Sequence, residues 1–127
     1  MQFRGRDDLL FAGQITGVEG YVGNVATGLV AGVNMVRHLQ DRSPWVLPQT
    51  SMLGALCHYV THADAKDFQP MKANFGLMPE LPQRVKNKRE RYAAYAARAL
   101  QNLRESALAL DDPYLATVDI VPEIGAR

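Results

Sequence analysis

Four glycines within twelve residues constrain this chain more than any other feature of its sequence. The stretch Gly13 to Asn24 reads GQITGVEGYVGN. An apolar run from Asp8 to Gly13, DLLFAG, precedes it, and a run of this length predicts a buried strand, most often in a parallel sheet. Apolar residues at helical spacing follow in VATGLVAGVNMVRHLQ. The sequence therefore predicts a strand, a glycine-rich turn and a helix, in that order.

A glycine-rich turn of this kind favours ligand binding. It brings backbone N–H groups and the positive end of the helix dipole toward one point, where side chains would block a phosphate or a flat ring. The glycines do not follow the dinucleotide-binding pattern GxGxxG. A tight connection without a ligand therefore remains the alternative. Asn24 is predicted to cap the helix, and Arg37 and His38 suit its C-terminal end.

The rest of the chain predicts further helices and few strands. A second helix is predicted from Thr50 or Ser51 through MLGALCHYVTH, and residues 64–82 are expected to be mostly irregular because prolines and a glycine interrupt them. The strongest helical pattern covers Arg84 to Leu110, and Asp111-Asp112-Pro113 is predicted to end it. A single candidate strand cannot form a sheet. The chain is therefore expected to be a piece of something larger or the partner of a second chain.

Composition excludes several classes of protein. The chain has 127 residues, 14 basic and 13 acidic side chains, and a formal charge of +1, which excludes a histone-like or polyacidic protein. Its single cysteine, Cys57, excludes an internal disulfide framework and a cysteine-built zinc site. The residues from Met1 to Arg6 lack the apolar core of a signal peptide. We therefore expect one cytoplasmic domain without a membrane span.

Two histidines and a carboxylate, His58, His62 and Asp64, resemble a metal site because the histidines lie at positions i and i+4 of the predicted helix. The HExxH pattern of zinc enzymes is missing, so packing against a neighbour or contact with a polar substrate group is the favoured interpretation. Cys57 has no activating base on its own helix face and is interpreted as a small buried side chain. No catalytic or metal-ligating residue is assigned.

The segment RVKNKRER, residues 84–91, contains five basic residues among eight. It could contact the phosphates of a nucleic acid, and a solvated helix face is the alternative. Cations at a helix N-terminus oppose the helix dipole, so helix stability does not explain their placement. Nucleic-acid binding is therefore slightly favoured, with Arg84, Lys86, Lys88 and Arg89 as the candidate residues.

Six sequence blocks occur together in an order typical of one known family: LLFAGQITGVEGY, ATGLVAGVN, LGAL, YVTHAD, FQPM and NFGL. From Gln2 to about Leu103 the chain resembles the C-terminal part of the folate- and FAD-dependent tRNA (uracil-5-)-methyltransferases. More distantly, it resembles the glucose-inhibited division protein A family. The resemblance implies an α/β fold, namely a glutathione-reductase-type FAD-binding domain. It also implies methylation of a uridine in the tRNA T loop, with carbon from methylenetetrahydrofolate and electrons from NADH or NADPH through FAD.

The resemblance also assigns roles to parts of this chain. Residues 1–40 would form the last strand (Leu9 to Gly13), the glycine-rich turn and the helix of the FAD-binding domain. Residues 41–127 would form a C-terminal helical extension of that domain. The expected partners are tRNA and the N-terminal Rossmann part of the enzyme, in the same gene or a separate chain. The residues expected to bind the flavin are Gly13, Gln14, Ile15, Thr16, Gly17, Val18, Glu19, Gly20 and Tyr21.

Two features depart from the family pattern. Gly23-Asn24 stands where the family usually has Glu-Ser, which is expected to move the helix start to Asn24. The dinucleotide fingerprint, the inserted domain and the catalytic cysteines of the family have no counterpart here, and Cys57 does not match those cysteines. The chain alone is therefore not expected to be catalytic. A non-catalytic helical module that binds a partner chain and an inactive relic are the alternatives.

Overall fold

The computed structural model describes residues 1–110 and Asp112. This part of the chain contains three α-helices and two small sheets of two strands each, so the predicted mostly helical chain with a few short strands is confirmed. Within it, no helix is both long and apolar enough to cross a membrane. The elements in chain order are β1 (Gln2–Phe3), β2 (Arg6–Leu10), β3 (Val18–Glu19), α1 (Tyr21–Leu39), α2 (Met52–His62), β4 (Met71–Lys72) and α3 (Lys88–Leu108).

The first sheet is an antiparallel hairpin of β1 and β2. The strand predicted from the run Asp8 to Gly13, or over Leu9 to Gly13 by the resemblance, is wrong in its bounds, because β2 ends at Leu10. It is also not buried, because its residues are exposed or half-buried, and its partner is antiparallel rather than parallel. The preceding residues supply that partner, with Gln2 opposite Leu10. The N–H of Phe11 still donates to the carbonyl of Met1 over 3.0 Å, and the chain then leaves the sheet.

The second sheet pairs β3 with β4 in parallel and holds the glycine-rich turn against a distant segment. Val18 lies opposite Met71, and the N–H of Met71 also donates to the carbonyl of Gly17 over 2.8 Å. Both strands have only two residues, so they show no alternation of apolar and polar side chains that could reveal them in the sequence. The predicted irregular region 64–82 is therefore mostly irregular but contains β4 and a short 3₁₀ helix, Phe75–Leu77.

The core lies where α1 and α2 meet β3. Val18 and Leu56 are completely buried, and both approach Gly23 of α1: a Cβ at Gly23 would lie 3.0 Å from Val18 Cγ1 and 3.6 Å from Leu56 Cδ2. The small size of Gly23 therefore lets α1 pack closely on the core. The predicted start of α2 is confirmed, because the Oγ of Ser51 accepts a hydrogen bond from the N–H of Gly54 over 3.0 Å.

Helix α3 begins later than predicted. The predicted start at Arg84 is wrong, because Asn87 caps the helix: its Oδ1 accepts from the N–H of Arg89 over 2.9 Å and from that of Glu90 over 3.3 Å. The acidic side chain of Glu90 also suits the positive end of the helix. At the other end α3 stops at Leu108, and the predicted terminators Asp111 and Pro113 lie outside the described residues.

Candidate functional site

The glycine-rich turn has a backbone that depends on its glycines. Gly13, Gly17 and Gly20 have φ angles of 73°, 87° and 85°, in a region that residues with a Cβ rarely adopt. Between the first two glycines the chain forms one 3₁₀ turn, Gly13–Thr16, and the N–H of Gly17 donates to the carbonyl of Gln14 over 3.0 Å. Gly13, Gly17 and Gly20 are therefore spaced as the three positions with positive φ require, and not as in the GxGxxG pattern.

Helix α1 begins directly after the third of these glycines. Gly20 is its N-cap residue, no side chain caps it, and no acidic residue lies in its first turn. The predicted cap at Asn24 is wrong, since the N–H of Asn24 already donates to the carbonyl of Gly20 over 3.0 Å. Gly23-Asn24 therefore does not move the helix start. The first turn of this 19-residue helix thus has no charged or capping side chain, which suits an anionic ligand, although the exposed Glu19 lies directly before the N-cap residue.

Thr27 joins the turn to the helix. Its side chain is completely buried, and its Oγ1 accepts from the N–H of Gly13 over 3.0 Å while donating to the carbonyl of Gly23 over 2.8 Å. At the other end of the 3₁₀ turn, the Oγ1 of Thr16 donates to the carbonyl of Gly13 over 2.7 Å. The position of the turn relative to α1 is therefore fixed by side chains of the chain itself.

Removal of the Thr27 hydroxyl is expected to destabilise the turn. In Thr27→Val the half-buried N–H of Gly13 loses its acceptor, which should lower the free energy of unfolding by about 2 kcal/mol. Thr27→Ser keeps the hydroxyl and should cost about 1 kcal/mol for the lost methyl group. Urea unfolding of the three chains checks this order. A valine variant more stable than the serine variant would show that the hydroxyl does not hold the turn.

The residues predicted to bind a cofactor form one continuous segment, Gly13 to Tyr21, around the start of α1. Ile15 and Tyr21 are 77% and 93% exposed, so apolar surface lies beside the polar end of the helix. Val18 is completely buried and can offer a ligand only its backbone. The Oδ1 of Asn24 is buried and has no hydrogen-bond partner among residues 1–110 and Asp112. The arrangement suits a ligand that combines an anionic part with a flat apolar part.

The outer face of α1 is an apolar stripe open to solvent. Gly28 and Gly32 lie four residues apart in α1, and apart from the helix's own backbone no atom of residues 1–110 and Asp112 lies within 4 Å of the position of a Cβ at either residue. Contiguous exposed apolar surface of this kind marks a site that another surface covers. The stripe consists of Val22, Val25, Leu29, Val36 and Leu39, which are between 53% and 83% exposed.

The four predicted phosphate-binding residues are all exposed, but they lie on two different elements. Arg84 and Lys86 lie in the irregular segment before α3, whereas Lys88 and Arg89 lie in its first turn. The structure therefore does not place all of these cations on the N-terminus of one helix. Arg84 and Lys86 therefore do not oppose the dipole of α3 from within its first turn.

Sequence reasoning missed an aromatic cluster beside these cations. The rings of Phe75 and Tyr92 stack with centroids 4.4 Å apart, and the ring of Tyr95 lies 5.6 Å from that of Phe75. Lys88 and Arg98 lie over the two tyrosine rings at 5.6 Å and 5.1 Å. The spacing of Lys88, Tyr92, Tyr95 and Arg98 by three or four residues is the signal that would have indicated a shared face of α3.

The histidines and the cysteine of α2 do not form a metal or nucleophile site in the described part of the chain. The rings of His58 and His62 stack with centroids 4.1 Å apart, and no group of three metal-ligating side chains occurs among residues 1–110 and Asp112. Cys57 is half-buried rather than buried as predicted, and this partial burial raises the pKa of its thiol, which favours the protonated, unreactive form. These side chains border a cavity of about 430 Å³ between the N-terminal hairpin, α1 and α2.

Comparison with known proteins identifies relatives for most of the chain. The family described as glucose inhibited division protein A matches residues 1–43. A protein of Enterococcus faecalis is 52% identical over 110 residues, which are 87% of this chain and 25% of that protein. Proteins of Bacillus licheniformis and Halalkalibacterium halodurans are 52% and 53% identical over 103 residues, 81% of this chain and 24% of each. All three are named methylenetetrahydrofolate–tRNA-(uracil-5-)-methyltransferase TrmFO.

The resemblance stated from the sequence blocks is therefore confirmed over most of the chain. The chain spans about a quarter of the length of the curated relatives that it matches.

Proposed function

We propose that this chain, a homologue of these tRNA (uracil-5-)-methyltransferases over most of its length, supplies the flavin-facing end of such an enzyme. The observation that carries the proposal is the turn from Gly13 to Tyr21, where three left-handed glycines lead into an uncapped helix start. In this proposal residues 1–40 complete an FAD-binding domain of the glutathione-reductase type. Residues 41–127 extend that domain and contribute to tRNA binding in the cytoplasm.

The residues of the turn fit a flavin in three respects. The backbone N–H groups and the positive dipole of α1 would stabilise negative charge on the ligand. Ile15 and Tyr21 would cover a flat ring and exclude water from it. The buried, unpartnered Oδ1 of Asn24 would accept a hydrogen bond from a ligand N–H or O–H. When bound, FAD would carry electrons from NADH or NADPH to the carbon unit taken from methylenetetrahydrofolate, and we assign no catalytic residue in this chain.

A flavin titration tests this assignment. We expect the purified chain to bind FAD saturably in the micromolar range, as read by flavin fluorescence. Ile15→Glu should lower the affinity at least about fivefold, because it places a negative charge beside the helix end that attracts the anion. Ile15 is 77% exposed, so the fold should not change. Val46→Glu is the matched control, since Val46 is 79% exposed and lies outside the turn. Equal affinities of the two variants would contradict the assignment.

The second part of the proposal is a tRNA surface around the start of α3. Arg84, Lys86, Lys88 and Arg89 are exposed and would contact phosphates. Replacing all four residues with glutamate is expected to lower the affinity for tRNA more than about tenfold. The slope of log affinity against log salt concentration should become shallower by about 0.7 to 0.9 for each phosphate contact that is lost. Binding measured at several salt concentrations checks both quantities. Unchanged affinity and slope would contradict the tRNA surface.

A second candidate function is a non-catalytic module that binds a partner chain, and the exposed apolar stripe of α1 favours it. Size-exclusion chromatography of this chain with a Rossmann-type flavoprotein chain distinguishes the two candidate functions. A stable complex that contains FAD supports a two-chain enzyme. Self-association alone, without FAD binding, supports the interaction module.

A further inference from the structure

A groove of about 670 Å³ lies between the irregular segment before α3 and the N-terminal half of that helix. Two arginines of α3 hold this segment in place. Arg98 donates from Nη1 to the carbonyl of Glu80 over 2.8 Å and from Nη2 to that of Pro79, and Arg91 donates from Nη1 to the carbonyl of Val85 over 3.4 Å. One side of the groove is therefore a helix, and the other side is a segment that is hydrogen-bonded to this helix at both of the segment's ends.

The groove has cationic, aromatic and amide side chains together. Arg84, Lys86 and Arg91 line it with a single carboxylate, that of Glu80, so its charge favours an anion. The ring of Tyr95 lines it as well. Phe75 at 5.6 Å and Arg98 at 5.1 Å hold that ring in position. Residues 84–91 carry a net charge of +4 in a chain of net charge +1, so the rest of the chain is net negative and anions are attracted to this end.

We infer that this groove binds an unpaired nucleotide of an RNA strand, with its phosphate on Arg84, Lys86 and Arg91 and its base on the ring of Tyr95. A nucleotide is the class of ligand that presents a phosphate and a flat ring within one unit, and unstacked bases of single-stranded RNA are commonly bound on aromatic side chains. The amide of Gln83, which also lines the groove, can bond to a base edge. This inference rests on the proposed tRNA surface and specifies what that surface recognises.

The neighbouring residues Lys88 and Arg89 provide a matched control. They carry the same charges as Arg84 and Lys86 and lie within a few residues of them, but they do not line the groove. If the surface recognises only the charge of the phosphates, neutralising either pair should lower the affinity for RNA equally. A nucleotide-binding groove would lose more from the first pair, and only for unpaired RNA.

The test measures binding of the full chain to a labelled oligouridylate and to a blunt RNA duplex with the same number of phosphates. We expect Arg84→Gln/Lys86→Gln to lower the oligouridylate affinity about tenfold or more, and Lys88→Gln/Arg89→Gln about threefold or less. Tyr95→Leu should lower it about tenfold while leaving duplex affinity unchanged, and Phe3→Leu, an exposed aromatic residue of β1 outside the groove lining, should leave both unchanged. Circular dichroism melting of each variant establishes that it is folded. If Tyr95→Leu is unfolded, the comparison of the two exposed charge pairs and the competition described below decide the test.

Competition identifies the ligand class. Uridine monophosphate should displace the oligouridylate at concentrations where inorganic phosphate and oligoglutamate do not. Equal competition by all three, or an equal loss of oligouridylate affinity from the two charge pairs, would contradict the nucleotide-binding groove. Neither result would contradict the proposed tRNA surface. If the wild-type chain binds neither RNA, the tRNA surface itself is wrong and the groove inference falls with it.

Discussion

Replacing Gly54 with alanine is expected to lower the free energy of unfolding by about 3 kcal/mol or more, a large share of the roughly 5 to 15 kcal/mol that stabilises a typical domain. A Cβ at Gly54 would overlap the carbonyl oxygen of Pro48 and lie 2.7 Å from the carbonyl carbon. It would also lie 2.8 Å from the Oγ of Ser51. The first of these groups is backbone and the second is the cap of α2, so neither can move without breaking the helix start.

Urea unfolding checks this prediction against a matched glycine. Gly28→Ala is also a glycine-to-alanine change inside a helix, but no described atom lies within 4 Å of the new Cβ. It should raise the free energy of unfolding by up to about 1 kcal/mol, because alanine favours helix. The free energy of unfolding is therefore expected to fall in Gly54→Ala and to rise in Gly28→Ala. A Gly54→Ala chain as stable as wild type would show that α2 does not pack on Pro48 as described.

Gly17→Ala is expected to produce the second large effect, a loss of about 2 to 4 kcal/mol. Two causes add: the residue has φ of 87°, and its Cβ would overlap the Cζ of Phe68 and lie 2.9 Å from its Cε1. The ring of Phe68 cannot swing away freely, because it stacks against Tyr59 with centroids 5.9 Å apart. Because the substitution distorts the turn, the affinity of the chain for FAD should also fall.

A double-mutant cycle separates the two causes. Phe68→Ala removes the ring that a Cβ at Gly17 would overlap, so in that background Gly17→Ala should cost only the backbone strain, about 1 to 2 kcal/mol. Gly20 is not a matched comparison, since its φ of 85° and ψ of 146° lie outside the αL region that Gly17 occupies with a ψ of 7°. The difference between the costs of Gly17→Ala with and without the ring, from urea unfolding, measures the contact with Phe68. Equal costs in the two backgrounds would show that the ring does not close over Gly17.

The elements that local chemistry specifies could be predicted from the sequence. Helix α2 begins where Ser51 can cap it, and the basic residues Arg37 and His38 lie in the last turn of α1 as expected. The errors at helix starts have local causes too. Gly20, with its left-handed φ, starts α1 before Asn24, and the side chain of Asn87 starts α3 after Arg84. In each case one residue within a few positions of the predicted start determines where the helix begins.

The remaining features depend on contacts between residues far apart in the chain, which no local pattern indicates. Val18 pairs with Met71 across more than fifty residues through strands of two residues each. Phe75 joins the aromatic face of α3 for the same reason, by tertiary contact alone. The candidate turn was visible as a glycine-rich segment, but Thr27, which fixes its position, was not singled out. A buried threonine in a helix looks the same in a sequence whether or not it bonds a distant N–H.

The most direct test of the central claim locates FAD on the chain by nuclear magnetic resonance. With the chain labelled with nitrogen-15, addition of FAD should shift the amide resonances of Gly13 to Tyr21 and leave those of the α3 groove, such as Lys86 and Tyr95, unchanged. These shifts would place the flavin at the uncapped start of α1, as proposed. Saturable FAD binding with no shift in Gly13 to Tyr21, or with shifts confined to the groove, would contradict the account.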